Sequence, residues 1–140
     1  MAEVKSVSVV FQNKLSEVSR LGEVVEQFGS ENNLSPAITN SVNLALDEII
    51  TNTISYGYKD DAEHQIWLNL KIEGNLLVAE IEDDGLPFNP LEKPDVDTNL
   101  PLEDKSVGGL GIHLVRKLMD EINYQFVNNK NVLLIKKKIA

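Results

Sequence analysis

Two pairs of strand-like segments constrain the fold of this chain more than any other feature. The first pair lies in HQIWLNLKIEGNLLVAEIEDDG (residues 64–85), where apolar and polar residues alternate on both sides of EGN. The second pair, INYQFV and NVLLIKK, is joined by the turn-prone NNK. Alternation across a short turn predicts a β-hairpin, whose strands are antiparallel. A doubly wound parallel sheet is disfavoured, because the hairpins leave too few crossover helices.

Helical periodicity fills most of the rest of the chain. After a first strand at 4–11, apolar residues recur at helical spacing over 15–32 and again from Pro36 to about Ser55, with Ser35 as the N-cap. The predicted buried stripe of the second helix consists of Ile38, Val42, Ile49 and Thr53. A third helix follows the glycines near residue 110. We therefore predict an α+β two-layer sandwich: a mixed, mostly antiparallel sheet with helices on one face.

Composition narrows the class of protein. The 140 residues suffice for one domain, predicted to span 1–140. A formal charge of −9 disfavours a nucleic-acid surface, and the absence of cysteine excludes disulfides and thiolate metal sites. No apolar run approaches the length of a membrane span and no secretory signal is recognisable, so we expect a cytoplasmic protein without a membrane partner.

The segment SVGGLGIHLVRKLMDEI (106–122) places three glycines at a helix entrance. These glycines have two interpretations. They can supply a turn without a ligand, or they can let an anion approach the unpaired N–H groups at the helix start. An acidic protein that binds an anion needs locally concentrated donors or a metal ion, which favours the second interpretation.

Glu48 and Asn52 stand four residues apart on the second helix, on the flank of the predicted buried stripe. A solvated Glu–Asn pair is the simpler interpretation. The alternative is chemical: an amide oxygen suits Mg²⁺, and a carboxylate one turn away can orient or deprotonate a nucleophile.

The segment IEDDGLPFNP (81–90) ends a strand with two aspartates and a glycine. It is interpretable as a turn alone, or as a site where an aspartate accepts a hydrogen bond from an amino group such as that of adenine. Residues 86–107 then carry four of the five prolines and no periodicity, which is typical of a lid or binding loop.

The order and spacing of these motifs resemble the ATP-binding domain of the GHKL superfamily, also called the Bergerat fold. LALDEIITNTISYGY, IEDDGLPFNP and GGLGIHLVRKLMDEINYQ carry the resemblance, which covers nearly the whole chain. Within that superfamily the chain is most similar to the bacterial anti-sigma-factor serine/threonine kinases. In that subfamily Pro87-Phe88 replaces the second glycine of the usual Asp-x-Gly-x-Gly motif.

The resemblance implies a set of site residues for ATP and Mg²⁺. It gives Glu48 the role of general base or water-orienting carboxylate, and Asn52 that of Mg²⁺ ligand. Asp83, two residues before Gly85, falls at the adenine-binding aspartate. The phosphates are lined by Gly109, Leu110 and Gly111, with residues 89–107 as the ATP lid. Lys105 contacts a phosphate or is an exposed lysine without contact.

The chain departs from the family pattern at two places. Tyr56 replaces a frequent histidine, which removes no expected ligand. The predicted lid has no arginine, only Lys93 and Lys105, and phosphoryl transfer depends on neutralising charge on the moving phosphate. The two histidines, His64 and His113, have no partner at metal-ligand or triad spacing, and we expect His113 to be exposed.

Three functions compete at this point. The first is an ATP-dependent serine/threonine kinase that phosphorylates a small anti-anti-sigma (antagonist) protein and sequesters a sigma factor. The second is an ATP/ADP-binding regulatory module with little or no turnover, whose lid state sets partner affinity. The third is a structural domain that binds no nucleotide. A homodimer is implied by the resemblance alone.

Overall fold

The computed structural model describes residues 6–58, 60, 62–87 and 109–139. They form β1 (Ser6–Gln12), a 3₁₀ turn (Leu15–Glu17), α1 (Val18–Glu31), α2 (Pro36–Tyr56), β2 (Gln65–Glu73), β3 (Leu76–Asp83), α3 (Gly109–Leu118), β4 (Glu121–Val127) and β5 (Lys130–Lys138). The strands form one sheet in the order β1-β2-β3-β5-β4, antiparallel at every described pairing. The predicted α+β class is confirmed. The predicted lid, 89–107, lies outside the described residues.

Both predicted hairpins are present. Gly74 turns β2 into β3 with φ +60, a conformation that glycine adopts without steric cost. Asn128 and Asn129 connect β4 to β5 with φ +54 and +61. Two successive residues with positive φ match the twist of the flanking strands, as in a type I′ turn.

The hydrophobic core lies between one face of the sheet and the helices. On β2 the side chains of Ile66, Leu68 and Leu70 are at most 1% exposed. They join residues of all three helices, including Leu21, Leu46 and Val115, in one cluster. The intervening side chains lie on the opposite face, where the Lys130 ammonium sits 4.2 Å from the centroid of the Trp67 ring.

The second helix begins as predicted, but its buried face is wider and rotated. Ser35 caps it by accepting a hydrogen bond from the Ile38 N–H at 3.2 Å, with Pro36 at the first position. The buried residues are Val42, Ala45, Leu46 and Ile50. The predicted Ile38, Ile49 and Thr53 are only half-buried. The difference arises because α2 packs against α1 and α3 as well as the sheet, so a small residue such as Ala45 belongs to the contact face.

The expectation of an exposed His113 is wrong. His113 on α3 is half-buried rather than exposed, because α3 packs against α2. Within the described ranges, no helix combines the length and the apolar character needed to cross a bilayer.

Candidate functional site

Asp83 is the last residue of β3, and the register of the sheet determines where its side chain goes. It pairs with Ile66 on β2 and Asn131 on β5. Cross-strand partners share a face, so the alternation that buries Ala79 and Ile81 also carries Asp83 to the helix-covered face, where it is 7% exposed. Asp84 is one residue out of phase and is exposed.

The Asp83 carboxylate is held by donors from two directions. The Gly85 backbone N–H and Asn131 Nδ2 both donate to its Oδ1, each at 2.9 Å. These are the donors that the described part of the chain directs at this carboxylate, so Oδ2 is the atom available to a ligand amino group. The fixed carboxylate is therefore a pre-oriented hydrogen-bond acceptor.

Asn131 is a candidate site residue that the sequence analysis missed. Its Nδ2 also donates to the Leu86 carbonyl at 2.9 Å, and its Oδ1 accepts from the Tyr124 hydroxyl. The signal was available, because Asn131 continues the inward phase of Leu133 and Ile135 on β5. A polar residue in the buried phase of a strand requires partners.

Burial raises the pKa of the Asp83 carboxyl above its ordinary value. The hydrogen bonds from Asn131 and the Gly85 N–H oppose this by stabilising the charged form, while the neighbouring Asp84 charge adds to the increase. The carboxylate is thus a desolvated acceptor whose charge is supported by two fixed dipoles.

The C-terminal end of α2 abuts the Asp83–Leu86 turn. The Leu86 N–H donates to the carbonyl of Gly57, the residue after α2, at 2.8 Å. A Cβ on Gly85 would lie 2.4 Å from that same carbonyl oxygen. Gly85 is therefore required by the close approach of two backbones.

Replacing Gly85 with alanine is expected to destabilise the protein by about 1–3 kcal/mol, because a backbone carbonyl has to move to admit the methyl group. Chemical denaturation measures the change. Gly22→Ala in α1 is the matched control: its Cβ finds no atom closer than 4.0 Å, so stability should stay the same or rise by about 0.5–1 kcal/mol. Equal stability of Gly85→Ala and wild type would contradict the packing described.

Glu48 and Asn52 project from the half of α2 that leads to this turn. Asn52 lies five residues before Gly57, which is about 7.5 Å of helix rise, and Glu48 lies one further turn back. Both side chains are half-buried, and neither hydrogen-bonds to another side chain or backbone group among the described residues. The neighbouring Asp47 differs, because it accepts a hydrogen bond from Thr51 Oγ1 at 3.0 Å. Two unengaged polar groups thus stand on one side of α2.

The donor set fits Mg²⁺ only in part. The Asn52 amide oxygen is a hard ligand of the kind that Mg²⁺ accepts. Within the described ranges no three histidine, cysteine or acidic residues cluster as a metal cage. Where Mg²⁺ is held together with a nucleotide, the protein supplies only one or two ligands, and Asn52 would be one of them here.

Gly109, Leu110 and Gly111 form the first three residues of α3. The first N–H groups of an α-helix have no acceptor inside the helix, so the start of α3 has donors that an anion can accept from. Because α3 packs against α2, this helix belongs to the same side of the sheet as Glu48 and Asn52. Lys105 lies outside the described residues.

A comparison with known families bears directly on this arrangement. The family described as the histidine kinase-like ATPase domain matches residues 11–137. The chain belongs to the histidine kinase-like ATPase domain family. The matched range contains every candidate site residue named above, including Asn131.

Relatives within this family carry informative names. The chain is 26% identical over 97 residues to the serine-protein kinase RsbW of Listeria monocytogenes, covering 66% of this chain and 62% of that protein. It is 25% identical over 84 residues to the anti-sigma F factor of Bacillus subtilis, covering 59% of this chain and 56% of that protein. The chain thus matches about three fifths of the length of these relatives.

A solved structure supports the fold of the family. The crystal structure of the RsbU and RsbW domains of a Mycobacterium tuberculosis protein matches 96% of this chain and 32% of that one. The TM-score is 0.71 at 11% sequence identity. The histidine kinase-like fold is therefore shared with a protein whose sequence has diverged widely.

Proposed function

We propose that this protein is an ATP-dependent serine/threonine protein kinase that acts as an anti-sigma factor. The observation that carries the proposal is the placement of Asp83. In a chain of this family, a buried carboxylate whose Oδ1 is held by two donors leaves Oδ2 for the adenine amino group. Relatives named serine-protein kinase and anti-sigma F factor support the choice of reaction.

ATP binding uses three parts of the fold in this proposal. Asp83 Oδ2 accepts from the adenine amino group, and Gly85 lets the base approach the backbone. The phosphates lie at the start of α3, against the N–H groups of Gly109, Leu110 and Gly111. This arrangement gives a protein of net charge −9 an anion site without a basic patch.

Phosphoryl transfer assigns a role to each residue on α2. Glu48 accepts the proton of a serine hydroxyl while the serine oxygen forms a bond to the γ-phosphorus. The bond from the γ-phosphorus to the β–γ bridging oxygen breaks in the same step, and ADP leaves. Asn52 holds Mg²⁺, which neutralises charge on the phosphates when bound. The acceptor serine belongs to a small antagonist (anti-anti-sigma) protein, and the kinase sequesters a sigma factor.

The Asn52→Ala variant is expected to lose the part of ATP affinity that depends on Mg²⁺. Wild-type protein should bind ATP more tightly with Mg²⁺ than with EDTA, whereas the variant should bind equally under both conditions, since it retains Asp83 and α3. Isothermal titration calorimetry in the two buffers measures the difference. Asn52→Asp, which keeps an oxygen ligand, should restore the Mg²⁺ dependence. A variant that keeps the full wild-type dependence would contradict the role of Asn52.

The proposed activity is tested by incubating the protein with γ-labelled ATP and candidate small antagonist (anti-anti-sigma) proteins from the same organism. Label on a serine of one of those proteins is the expected result. Tight nucleotide binding without transfer to any candidate would instead favour an ATP/ADP-binding regulatory module. The lack of arginine among residues 89–107 favours this second function, because phosphoryl transfer needs positive charge near the moving group.

A further inference from the structure

His64 stands directly before β2 with its ring between two carboxylates. Its Nε2 lies 2.7 Å from Asp60 Oδ1, and its Nδ1 lies 3.1 Å from Asp84 Oδ1. The His64 side chain is 18% exposed, whereas those of Asp60 and Asp84 are 60% and 42% exposed. The sequence analysis identified neither partner: Asp84 is 20 residues away along the chain, and Asp60 is four residues away but lies between α2 and β2, where no periodicity fixes which residues meet.

The backbone of His64 is anchored independently of its ring. Its N–H donates to Asn13 Oδ1 at 2.9 Å, and its carbonyl accepts from the Asn13 N–H at 3.1 Å. Asn13 follows β1, so the main chain of His64 is tied to the end of that strand by one bond to the Asn13 side chain and one to its N–H. The ring is stacked on Tyr58, with centroids 4.3 Å apart and planes 15° from parallel. Stacking restricts the ring to one plane, so it contacts both carboxylates without swinging between them.

Asp84 links this cluster to the nucleotide site. It lies between Asp83, the proposed adenine acceptor, and Gly85, whose N–H donates to Asp83 Oδ1. A constraint on the Asp84 side chain is therefore a constraint on the turn that orients Asp83. On the far side of that turn, Leu86 is already bonded to Gly57 and Asn131.

The proton count of the ring decides how many of these bonds it can donate. A neutral imidazole has one N–H and one lone pair, so it donates to one carboxylate and faces the other with its lone pair. The imidazolium donates to both. We propose that His64 is a positioning residue: in its protonated form it holds Asp84 and, through it, keeps the Asp83–Leu86 turn in the form that binds adenine.

The surrounding groups favour the protonated form. The hydrogen bond to Asp60 raises the pKa of His64 above its ordinary value, and Asp84 adds to the increase, while partial burial opposes it. Glu63 lines the same surface pocket, of about 320 Å³, together with Gln12 and Trp67. Burial holds the pKa of the Tyr58 hydroxyl above its ordinary range, so it stays neutral as His64 titrates.

The raised pKa of His64 determines how stability and ATP affinity change with pH. The pKa of His64 is raised in the folded protein. Its contribution to the free energy of unfolding is therefore complete below the ordinary value of 6.5 and is lost as pH rises through the raised value. The proposed role adds that nucleotide binding favours the protonated ring. ATP affinity should then fall with rising pH, and binding should take up a fraction of a proton.

The experiment compares wild type with His64→Gln, whose amide is neutral at every pH, between about pH 6 and about pH 9. Dissociation constants for Mg-ATP are measured by calorimetry in buffers of different ionisation enthalpy. The ratio of the two dissociation constants at each pH cancels the effect of phosphate titration, which is the same for both proteins. We expect the wild type to bind Mg-ATP more tightly than His64→Gln at low pH, and this difference in affinity to shrink by about three- to tenfold across the range. Binding to the wild type should also take up more protons than binding to His64→Gln.

Asp60→Asn supplies a second variant that keeps the histidine. Loss of the Asp60 charge lowers the His64 pKa, so the midpoint of the pH dependence should move to lower pH while its amplitude remains. This variant carries the test if His64→Gln fails to fold. An unshifted midpoint would overturn the role.

The outcomes separate this inference from the proposed function on which it rests. If wild type and His64→Gln bind Mg-ATP equally at every pH while Asp83 remains essential, the positioning role is overturned and ATP binding stands. If the wild type binds no Mg-ATP, both are overturned. A pH effect on thermal unfolding alone, with an unchanged affinity ratio, assigns His64 to folding and likewise overturns its role at the nucleotide.

Discussion

Replacing Asp83 with asparagine is expected to weaken Mg-ATP binding by about 10- to 150-fold. A loss of this size corresponds to about 1.5–3 kcal/mol, which is typical of a hydrogen bond to a charged group. The carboxylate at this position is desolvated and held through Oδ1 by Asn131 and the Gly85 N–H. An asparagine can satisfy the same two donors with its oxygen, but it then presents an NH₂ group to the adenine amino group. Two donors face each other, and calorimetry measures the loss.

Base selectivity gives this substitution a second readout. A guanine ring has a carbonyl where adenine has its amino group, so the asparagine NH₂ can donate a hydrogen bond to guanine. GTP should therefore bind Asp83→Asn more tightly than it binds the wild type. The preference for ATP over GTP should therefore shrink in Asp83→Asn. Glu82→Gln is the control, because Glu82 stands one residue out of phase on the opposite face of β3 and should leave both affinities unchanged. Unaltered ATP affinity in Asp83→Asn would remove Asp83 from the site.

Replacing Glu48 with glutamine is expected to slow phosphoryl transfer to the antagonist serine by about 10²–10⁴-fold, the usual contribution of a general base. Glutamine keeps the shape of the side chain but cannot take the hydroxyl proton. Nucleotide affinity should stay the same or rise slightly, because a negative charge near the phosphates is removed. Rates of label transfer and calorimetric affinities, measured on the same preparation, separate the two effects.

Asp47→Asn is the matched control for Glu48→Gln. Asp47 is the adjacent carboxylate, rotated by about 100° around the helix, and it is engaged by Thr51. An asparagine preserves that hydrogen bond, so the transfer rate should remain near that of the wild type. Equal losses in both variants would point to a general effect of charge on α2 and would contradict a specific role for Glu48.

The fold and part of the site were predictable because their signals are local. Alternation and turn residues predicted both hairpins, and Ser35-Pro36 predicted the start of α2. The same alternation explains why Asp83, and not Asp84, reaches the helix-covered face. The buried stripe of α2 was less predictable, because Ala45 enters the core only through the packing of α1 and α3 around that helix.

The residues that escaped prediction depend on contacts that are distant along the chain. Asn131 meets Asp83 across 48 residues, and only the pairing of β3 with β5 brings them together. His64 gains Asp84 through the pairing of β2 with β3. In both cases the register of the sheet, rather than any local motif, creates the contact. The roles assigned to Glu48, Asn52 and the start of α3 stay predictions until the variants are measured.

The bond between Asn131 and Asp83 also bears on when the site comes into existence during folding. It joins strands from two different hairpins: the contacts of β2 with β3 are local along the chain, whereas the contact of Asn131 with Asp83 spans 48 residues. Until β5 pairs with β3, Asp83 has only the Gly85 N–H and lacks its second donor, Asn131 Nδ2. A nucleotide that binds through Asp83, as proposed, would therefore need the finished sheet, and its binding energy would stabilise the whole domain rather than one hairpin.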